Sequence, residues 1–319
     1  MPNKKDPVFL GVDTSNYTTS LAAVSAEGEV LANVKCPLKV APGGRGLRQS
    51  DAVFEHVKNL PTAIEMLKEQ IGIRPVIAIG YSEKPRNAEG AYMPCFLPGI
   101  AAAQSIALGS GALTYAFAHQ DGHIRAACHS ACFAPNGEFA AFHISGGTTE
   151  LLLVGQEDNT LKVSLFGETK DLNAGQLVDR IGVRMGLPFP CGAAMDALAL
   201  ENTAKLPPVK VCVKGADCNL SGAENLAASI LDKTGDRALA CAYTFEFVAK
   251  TLIKMTEHLR TEHPGIPVVY AGGVMGSKYI KSRLNFEGAY FAEPALSADN
   301  AVGVALLAFE KYKAENEKI

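Results

Sequence analysis

His119 and His123 stand four residues apart in the run His119-Gln120-Asp121-Gly122-His123. On a helix that spacing puts both imidazoles on one face, where they can reach a single ion. The run follows the predicted strand Leu113 to Ala118, and sites gather at the carboxyl ends of strands. The chain has only seven histidines, and a third, His143, lies on the predicted strand leading into Ser145-Gly146-Gly147-Thr148-Thr149. Asp299, in Ser297-Ala298-Asp299-Asn300-Ala301, offers an oxygen ligand at the start of the predicted last helix. The same residue type also caps helices, and the two roles are compatible. Read by itself, an HxxxH run is equally two unrelated polar residues at a helix start. As a site, this set of histidines and a carboxylate admits iron, zinc or manganese.

Two further segments could hold phosphate. Asp13-Thr14-Ser15-Asn16 and Ser145-Gly146-Gly147-Thr148-Thr149 each join two predicted strands and are built from small and hydroxyl residues. Such a turn lets backbone amides approach phosphate where a bulky side chain would block them. Gly272-Gly273 follows the predicted strand Pro267 to Ala271 and opens a helix from about Ser277, exposing amides to an anion or an adenine edge. Asp171 and Asp179 fall at the start and on the body of a predicted helix. They read either as solvated helix acids or as acceptors for ribose hydroxyls. Phe189-Pro190-Cys191-Gly192 forms a turn, and Asp196 follows one helical turn later; alone, Asp196 reads as an ordinary helix acid.

The elements that carry these residues repeat. Val8 to Cys36 and Phe139 to Gly167 both read as strand, small turn, strand, polar turn, strand, and helical material follows each, at Ala52 to Gln70 and Leu172 to Met185. A unit of this kind used twice is the plan of the duplicated α/β ATPase fold of actin, the Hsp70 chaperones and the sugar kinases. The expectation is two similar subdomains around a nucleotide cleft: residues 1–117, with the last helix, 300–319, packing back on them, and residues 118–299. Further predicted elements are a strand at Pro75 to Gly80, a helix at Gly122 to Phe133 and a long helix at Arg237 to His263.

The 319 residues are enough for two domains, and 48% hydrophobic residues allow large cores. A net charge of −3 does not by itself ask for a nucleic-acid partner. The eight cysteines are scattered without a CxxC pair, as free thiols of a reducing cytoplasm are. The uncharged stretch Gly90 to Gln120 is broken by Pro94, Pro98, Gly99, Gly109 and Gly111, which excludes a continuous membrane helix. No HExxH run supports a peptidase.

In order and spacing these motifs resemble the threonylcarbamoyladenosine synthase family, once misnamed the O-sialoglycoprotein endopeptidases. HxxxH, SGG-x-T, GET-x-D, an Asp–Arg pair, a P-x-G turn, AGGV and a final DNA run through nearly the whole chain. The resemblance implies transfer of a threonylcarbamoyl group from its adenylate to the exocyclic amine of an adenine in tRNA, with release of AMP. It implies one divalent ion, iron or zinc, on His119, His123 and Asp299, with His143 where archaeal and eukaryotic members carry a metal-contacting tyrosine. Ser145, Gly146, Gly147, Thr148 and Thr149 match the phosphate turn, and Asp179, Gly192 and Asp196 match the positions that hold the nucleoside, ATP, AMP or an acyl-adenylate. Gly272, Gly273 and Ser277 match the AGGV-x-x-N segment, and Asp13 and Ser15 stand in the first turn as candidate catalytic residues. Implied partners are adenine nucleotide, tRNA and a paralogous subunit, with no membrane. The chain departs from the family at DTSNYTT in place of ETSCDET, at a missing GPG loop, at Thr148 for a histidine, at Glu224 for a lysine and at Ser277 for an asparagine. Those departures suit an alternative: a diverged paralogue that binds metal and nucleotide but serves another acceptor or another protein. An acid at Glu224 is expected to repel the backbone of tRNA.

Overall fold

The computed structural model describes residues 6–15, 17–39, 47–157, 160–293, 296 and 301–316. Asn16 and Asp299, both singled out above, lie outside the described residues. The chain divides into two compact units: Met1–Ala127 with Glu157–Leu161 and Ala298–Ile319, and Cys128–Gln156 with Lys162–Ser297.

The first unit is built on a five-stranded sheet of order β3-β2-β1-β4-β5. Its strands are β1 (Val8–Thr14), β2 (Thr18–Ser25), β3 (Val30–Pro37), β4 (Val76–Lys84) and β5 (Leu113–Ala118). β1 runs antiparallel to β2 and parallel to β4, and β4 runs parallel to β5. Every residue of β1 is buried, so both of its faces must be covered. Val8, Leu10 and Val12 pack into a core with Ala63, Leu67 and Ile71 of helix α1 (Gln49–Ile71) and Ala103 and Ala107 of α2 (Leu97–Ser110). The alternate residues meet the last helix, α9 (Val302–Asn316): Phe9 packs edge-on against Phe309 at 5.3 Å, and Gly11 lies under Ala301 and Ala305. This is the period-two alternation of a strand held between two layers.

Small residues let α9 approach so closely. A Cβ on Gly80 of β4 would strike the backbone carbonyl of Val304, and a Cβ on Gly303 would strike the carbonyl of Gly122. From Val302 to Ala308 the helix is buried on every side.

The second unit repeats the plan. Its sheet, read from one edge, is β8-β7-β6-β11-β12, with β6 (Phe139–Ile144), β7 (Thr149–Glu157), β8 (Thr160–Glu168), β11 (Val268–Ala271) and β12 (Ala289–Phe291). β6 is antiparallel to β7 and parallel to β11, and β11 is parallel to β12. These are the senses found at the matching places of the first sheet. Around it lie α4 (Ala174–Arg184), α5 (Gly192–Glu201), α6 (Ser221–Thr234), α7 (Arg237–Glu262) and α8 (Lys278–Arg283), with a small hairpin of β9 (Cys212–Lys214) and β10 (Asp217–Asn219). α7 is the centre of this core, with Phe245, Val248, Leu252, Met255 and Leu259 all buried. Phe142 of β6 stacks on Tyr270 of β11 at 5.0 Å, and the buried Tyr270 hydroxyl is hydrogen-bonded to Thr256 at 2.8 Å.

Some boundaries differ from expectation. The helix α3 (His119–Ser130) begins directly at the end of β5 rather than at Gly122, α4 begins at Ala174 rather than Leu172, and α9 begins at Val302. The β9–β10 hairpin, not anticipated above, follows the alternating run Val209 to Lys214 and turns at Gly215. Among the described residues no helix is long and apolar enough to cross a membrane.

The Gly80 contact yields a direct prediction. Gly80→Ala places a methyl group against the Val304 carbonyl, so α9 must shift, at a cost of about 1–3 kcal/mol. Urea unfolding of the variant and parent measures the loss.

Candidate functional site

In the first unit the strand β1 ends at a buried acid. Asp13 has no exposed surface. Its Oδ2 lies 3.0 Å from Nδ1 of His119 and accepts a hydrogen bond from the Ser15 hydroxyl at 3.3 Å. Its Oδ1 is buried and has no hydrogen-bond partner among the described residues. Because α3 starts at His119, the imidazoles of His119 and His123 rise from the first turns of one helix, as the four-residue spacing requires. Their Nε2 atoms are 2.9 Å apart.

This geometry has a chemical reading. Asp13 accepts the Nδ1 proton of His119, so in neutral His119 the lone pair sits on Nε2. That lone pair and Nε2 of His123 converge on one point. Two imidazole nitrogens on one tetrahedral zinc ion, each at about 2.0–2.1 Å, lie about 3.3 Å apart, so the observed 2.9 Å has to widen by a few tenths of an ångström to take it. A carboxylate behind a histidine ligand is the usual second layer of such a site. The pair fits a metal ion as two of its donors. Among the described residues no group of three or more His, Cys, Asp or Glu side chains is gathered for a metal. Asp299 lies outside the described residues, and His143 lies in the second unit, half-buried on β6 opposite Glu150.

Asp121, between the two histidines, takes a structural part that the sequence reading missed. It accepts from the Ala118 amide at 3.2 Å and from the Asn87 amide group at 2.9 and 3.1 Å. Burial lifts its carboxyl to about 6 despite those hydrogen bonds.

In the second unit the Ser145–Thr149 turn joins β6 to β7. The Ser145 hydroxyl accepts from the amides of Gly147 and Thr148 at 3.3 and 3.1 Å, and its carbonyl accepts from the Gly175 amide at 3.0 Å. Thr149 caps α4, its hydroxyl accepting from the Ala174 amide at 2.9 Å. A cavity of about 640 Å³ opens beside this turn. Its polar and glycine lining includes Gly146, Asp179, Gly192, Asp196, Gly273 and Ser277, all anticipated for nucleotide, while Val178, Leu200 and Phe245 supply apolar wall. Gly147, Thr148 and Thr149 instead line a smaller polar hollow of about 280 Å³, together with Glu150, Glu168 and Lys170. Sequence reasoning had no signal for Phe245, which is one apolar residue among many on α7.

The glycines fall into two kinds. Gly272 has a φ of 101°, and a Cβ there would strike the Ile144 carbonyl; the fold needs it. Gly146, Gly192 and Gly273 have no positive φ, and a Cβ on any of them meets nothing within 4 Å. The protein itself does not require glycine at these three, and all three line the cavity.

The acids also separate. Asp179 accepts from the Cys191 amide at 2.8 Å through Oδ1, and its Oδ2 makes no hydrogen bond among the described residues. It therefore has an acceptor to offer a ligand. Asp196 has both oxygens engaged. Its Oδ1 accepts from the Ser277 hydroxyl at 2.5 Å and the Tyr279 amide at 3.1 Å, and its Oδ2 from the Lys278 amide at 3.0 Å. It caps α8 and also lines the cavity. Ser277 is its hydrogen-bond partner and lines the same cavity. Asp171 is no ribose acceptor: it accepts from the amides of Leu172, Leu220 and Ser221 and from the Ser221 hydroxyl, bracketing the start of α6. Burial pulls its carboxyl upward, but the hydrogen bonds from Ser221, Leu220, Leu172 and Asn219 outweigh that and hold it at about 2. Glu224 is not a lone acid. It pairs with Arg180 at 2.9 Å at the surface, which offsets its charge and equally occupies that cation.

The chain matches the family described as tRNA N6-adenosine threonylcarbamoyltransferase over residues 29–306. The chain belongs to that family. Relatives bearing the family name include one from Methanopyrus kandleri, 26% identical over 93% of this chain and 86% of its own. Another, from Streptococcus suis, is 27% identical over 98% and 94%, and one from Thermus thermophilus is 29% identical over 95% and 93%. Solved structures agree on the fold. The activator of 2-hydroxyisocaproyl-CoA dehydratase from Clostridium difficile, with bound ADPNP, has a TM-score of 0.52 at 13% identity over 98% of each chain. Full-length HypF in its phosphate- and nucleotide-bound form has a TM-score of 0.61 at 11% identity, over 98% of this chain and 57% of that one. The fold is the duplicated α/β ATPase fold of actin, Hsp70 and the sugar kinases, and within the family the two matching sheets are its two copies.

Two substitutions test the cavity. Asp179→Ala removes a charged acceptor and should weaken ATP or ADP binding by about 1–3 kcal/mol. Gly146→Leu fills open space without a clash inside the protein, so the variant should fold as the parent does and lose nucleotide. Calorimetry with each nucleotide reads both outcomes; unchanged affinity in either variant removes that residue from the site.

Proposed function

We propose that this chain transfers the threonylcarbamoyl group of threonylcarbamoyl-adenylate to N6 of an adenine in tRNA. The N6 amine attacks the carbamoyl carbonyl carbon, a C–N bond forms, the C–O bond to the adenylate phosphate breaks, N6 loses a proton and AMP leaves. The observation that carries this reading is the cavity in which Gly146, Gly192 and Gly273 are glycines for no reason internal to the protein, in a chain of this transferase family. Missing side chains at those points leave backbone free to approach a phosphate and a nucleoside. Asp179 offers Oδ2 to a ribose hydroxyl, and Val178, Leu200 and Phe245 give the base an apolar wall.

His119 and His123 hold the metal ion in this proposal, iron or zinc, with Asp299 as a further donor. Bound there, the ion supplies Lewis-acid polarisation and positive charge for phosphate oxygens. Asp13 acts through His119 by fixing its tautomer, and Ser15 acts through Asp13; both are positioning residues, because Asp13 is sealed from solvent and Ser15 is spent on it. Transfer to tRNA implies a cytoplasmic protein. A paralogous partner subunit also belongs to the proposal: Phe54, Val57 and Ile64 are exposed by 63%, 56% and 37% along one side of α1.

The Arg180–Glu224 pair is neutral where the family carries two cations, so weaker, less salt-dependent tRNA binding is the outcome that would favour the diverged alternative. The deciding assay supplies threonylcarbamoyl-adenylate and a tRNA lacking the modification. Modified tRNA is expected from the parent. His119→Ala combined with His123→Ala should lose both the metal, read by elemental analysis after dialysis, and at least about 100-fold of the transfer rate. A folded, nucleotide-binding parent that never modifies tRNA establishes the alternative; a folded double variant retaining a full equivalent of metal removes the histidines from the site.

A further inference from the structure

The buried side of α1 consists of Ala52, His56, Leu60, Ala63, Leu67 and Ile71. His56 is the one polar member of that stripe and has no exposed surface. A leucine would continue the pattern and fill a core, so packing alone does not call for an imidazole. Both ring nitrogens are engaged. Nε2 lies 2.7 Å from the carbonyl oxygen of Ser15, and Nδ1 lies 2.9 Å from the hydroxyl of Thr19. A carbonyl can only accept, so Nε2 carries the proton; in the neutral ring Nδ1 then accepts from Thr19.

These two contacts sit on opposite arms of the β1–β2 turn. Thr14 and Thr19 are partners across the ladder, and Ser15 is the next residue on the β1 side. The other flank is held from α2, where the Thr14 hydroxyl accepts from the Gly99 amide at 3.1 Å. Two residues before Ser15, Asp13 holds Nδ1 of His119. The helix α1 thus reaches the histidine pair through one side chain and one turn.

We infer that His56 is a positioning residue of the metal site: it clips the β1–β2 turn so that the Asp13 carboxylate stays on His119 and keeps the Nε2 of His119 aimed at the Nε2 of His123. The inference rests on the metal reading proposed above. It separates from a packing role by the identity of the donor. In His56→Gln the side-chain amide reaches the place of Nε2 and can still donate to Ser15. In His56→Asn the amide ends near the place of Nδ1 and leaves the Ser15 carbonyl without its donor.

The experiment uses the full chain, parent and both variants, with three readings: amide hydrogen exchange across the turn, zinc affinity by competition with a chelating dye, and thermal unfolding. His56→Asn should raise exchange in the turn and weaken zinc by about tenfold, the scale of losing an outer-layer partner of a metal ligand. His56→Gln should stay within about twofold of the parent in both. If His56→Asn matches the parent in exchange and zinc affinity and loses only thermal stability, His56 is a packing residue and the inference fails. Equal impairment in both variants fails it as well, since donation to Ser15 is then not what matters. In a parent that takes up no zinc the metal reading falls, and the exchange difference between the two variants decides for or against the clip by itself.

Discussion

A carboxylate without solvent must be answered by something, and Asp13 at the end of β1 imposes that demand on the whole first unit. Its Oδ2 is met by His119 and Ser15, which places the start of α3 against the end of β1. To keep that meeting, β5 must hand directly into α3, and Asp121 must tie the junction with Ala118 and Asn87. The turn after β1 is in turn braced by His56 from α1 and by Gly99 from α2. The histidine pair is therefore not an ornament on a helix. It is the far end of a hydrogen-bonded frame that begins in the central strand.

The second unit is organised by the opposite device, the absence of side chains. Gly175 lies so close to Gly146 that a Cβ on it would strike the Gly146 amide, which brings α4 down onto the turn. Gly182 does the same against Cys191 at the start of α5. Those glycines serve the protein. Gly146, Gly192 and Gly273 meet no neighbour and line the cavity; Gly109, Gly155 and Gly222 are equally open and do not, so it is openness together with the cavity that marks the three. Polar groups sort the same way: Asp196 and Asp171 spend their oxygens on helix starts, and Asp179 keeps one.

The fold was legible in the sequence because its signals are local and doubled. Short apolar runs, small turns and the order of the elements appear twice, and the two sheets carry the same order and senses. The pairing of His119 with His123 was legible from helical spacing. Other parts depend on residues far apart in the chain and left no local trace. That Asp196 is consumed by Ser277 and Tyr279, or that Arg180 answers Glu224, cannot be seen from either residue's neighbours. His56 had a faint signal, a histidine in the apolar stripe of α1, but its targets are Ser15 and Thr19 on another element.

The placement of α9 also bears on how the chain comes to be folded. The sheet of the first unit is made from residues synthesised early, yet the face of β1 that carries Phe9 and Gly11 is covered by the last helix made. The second unit, with its own core, lies between them in the chain. During synthesis the earliest strands therefore wait with an apolar face exposed, and a chain stopped short of Val302 would keep it exposed indefinitely. A product terminated before Val302 thus presents that uncovered face to chaperones and proteases.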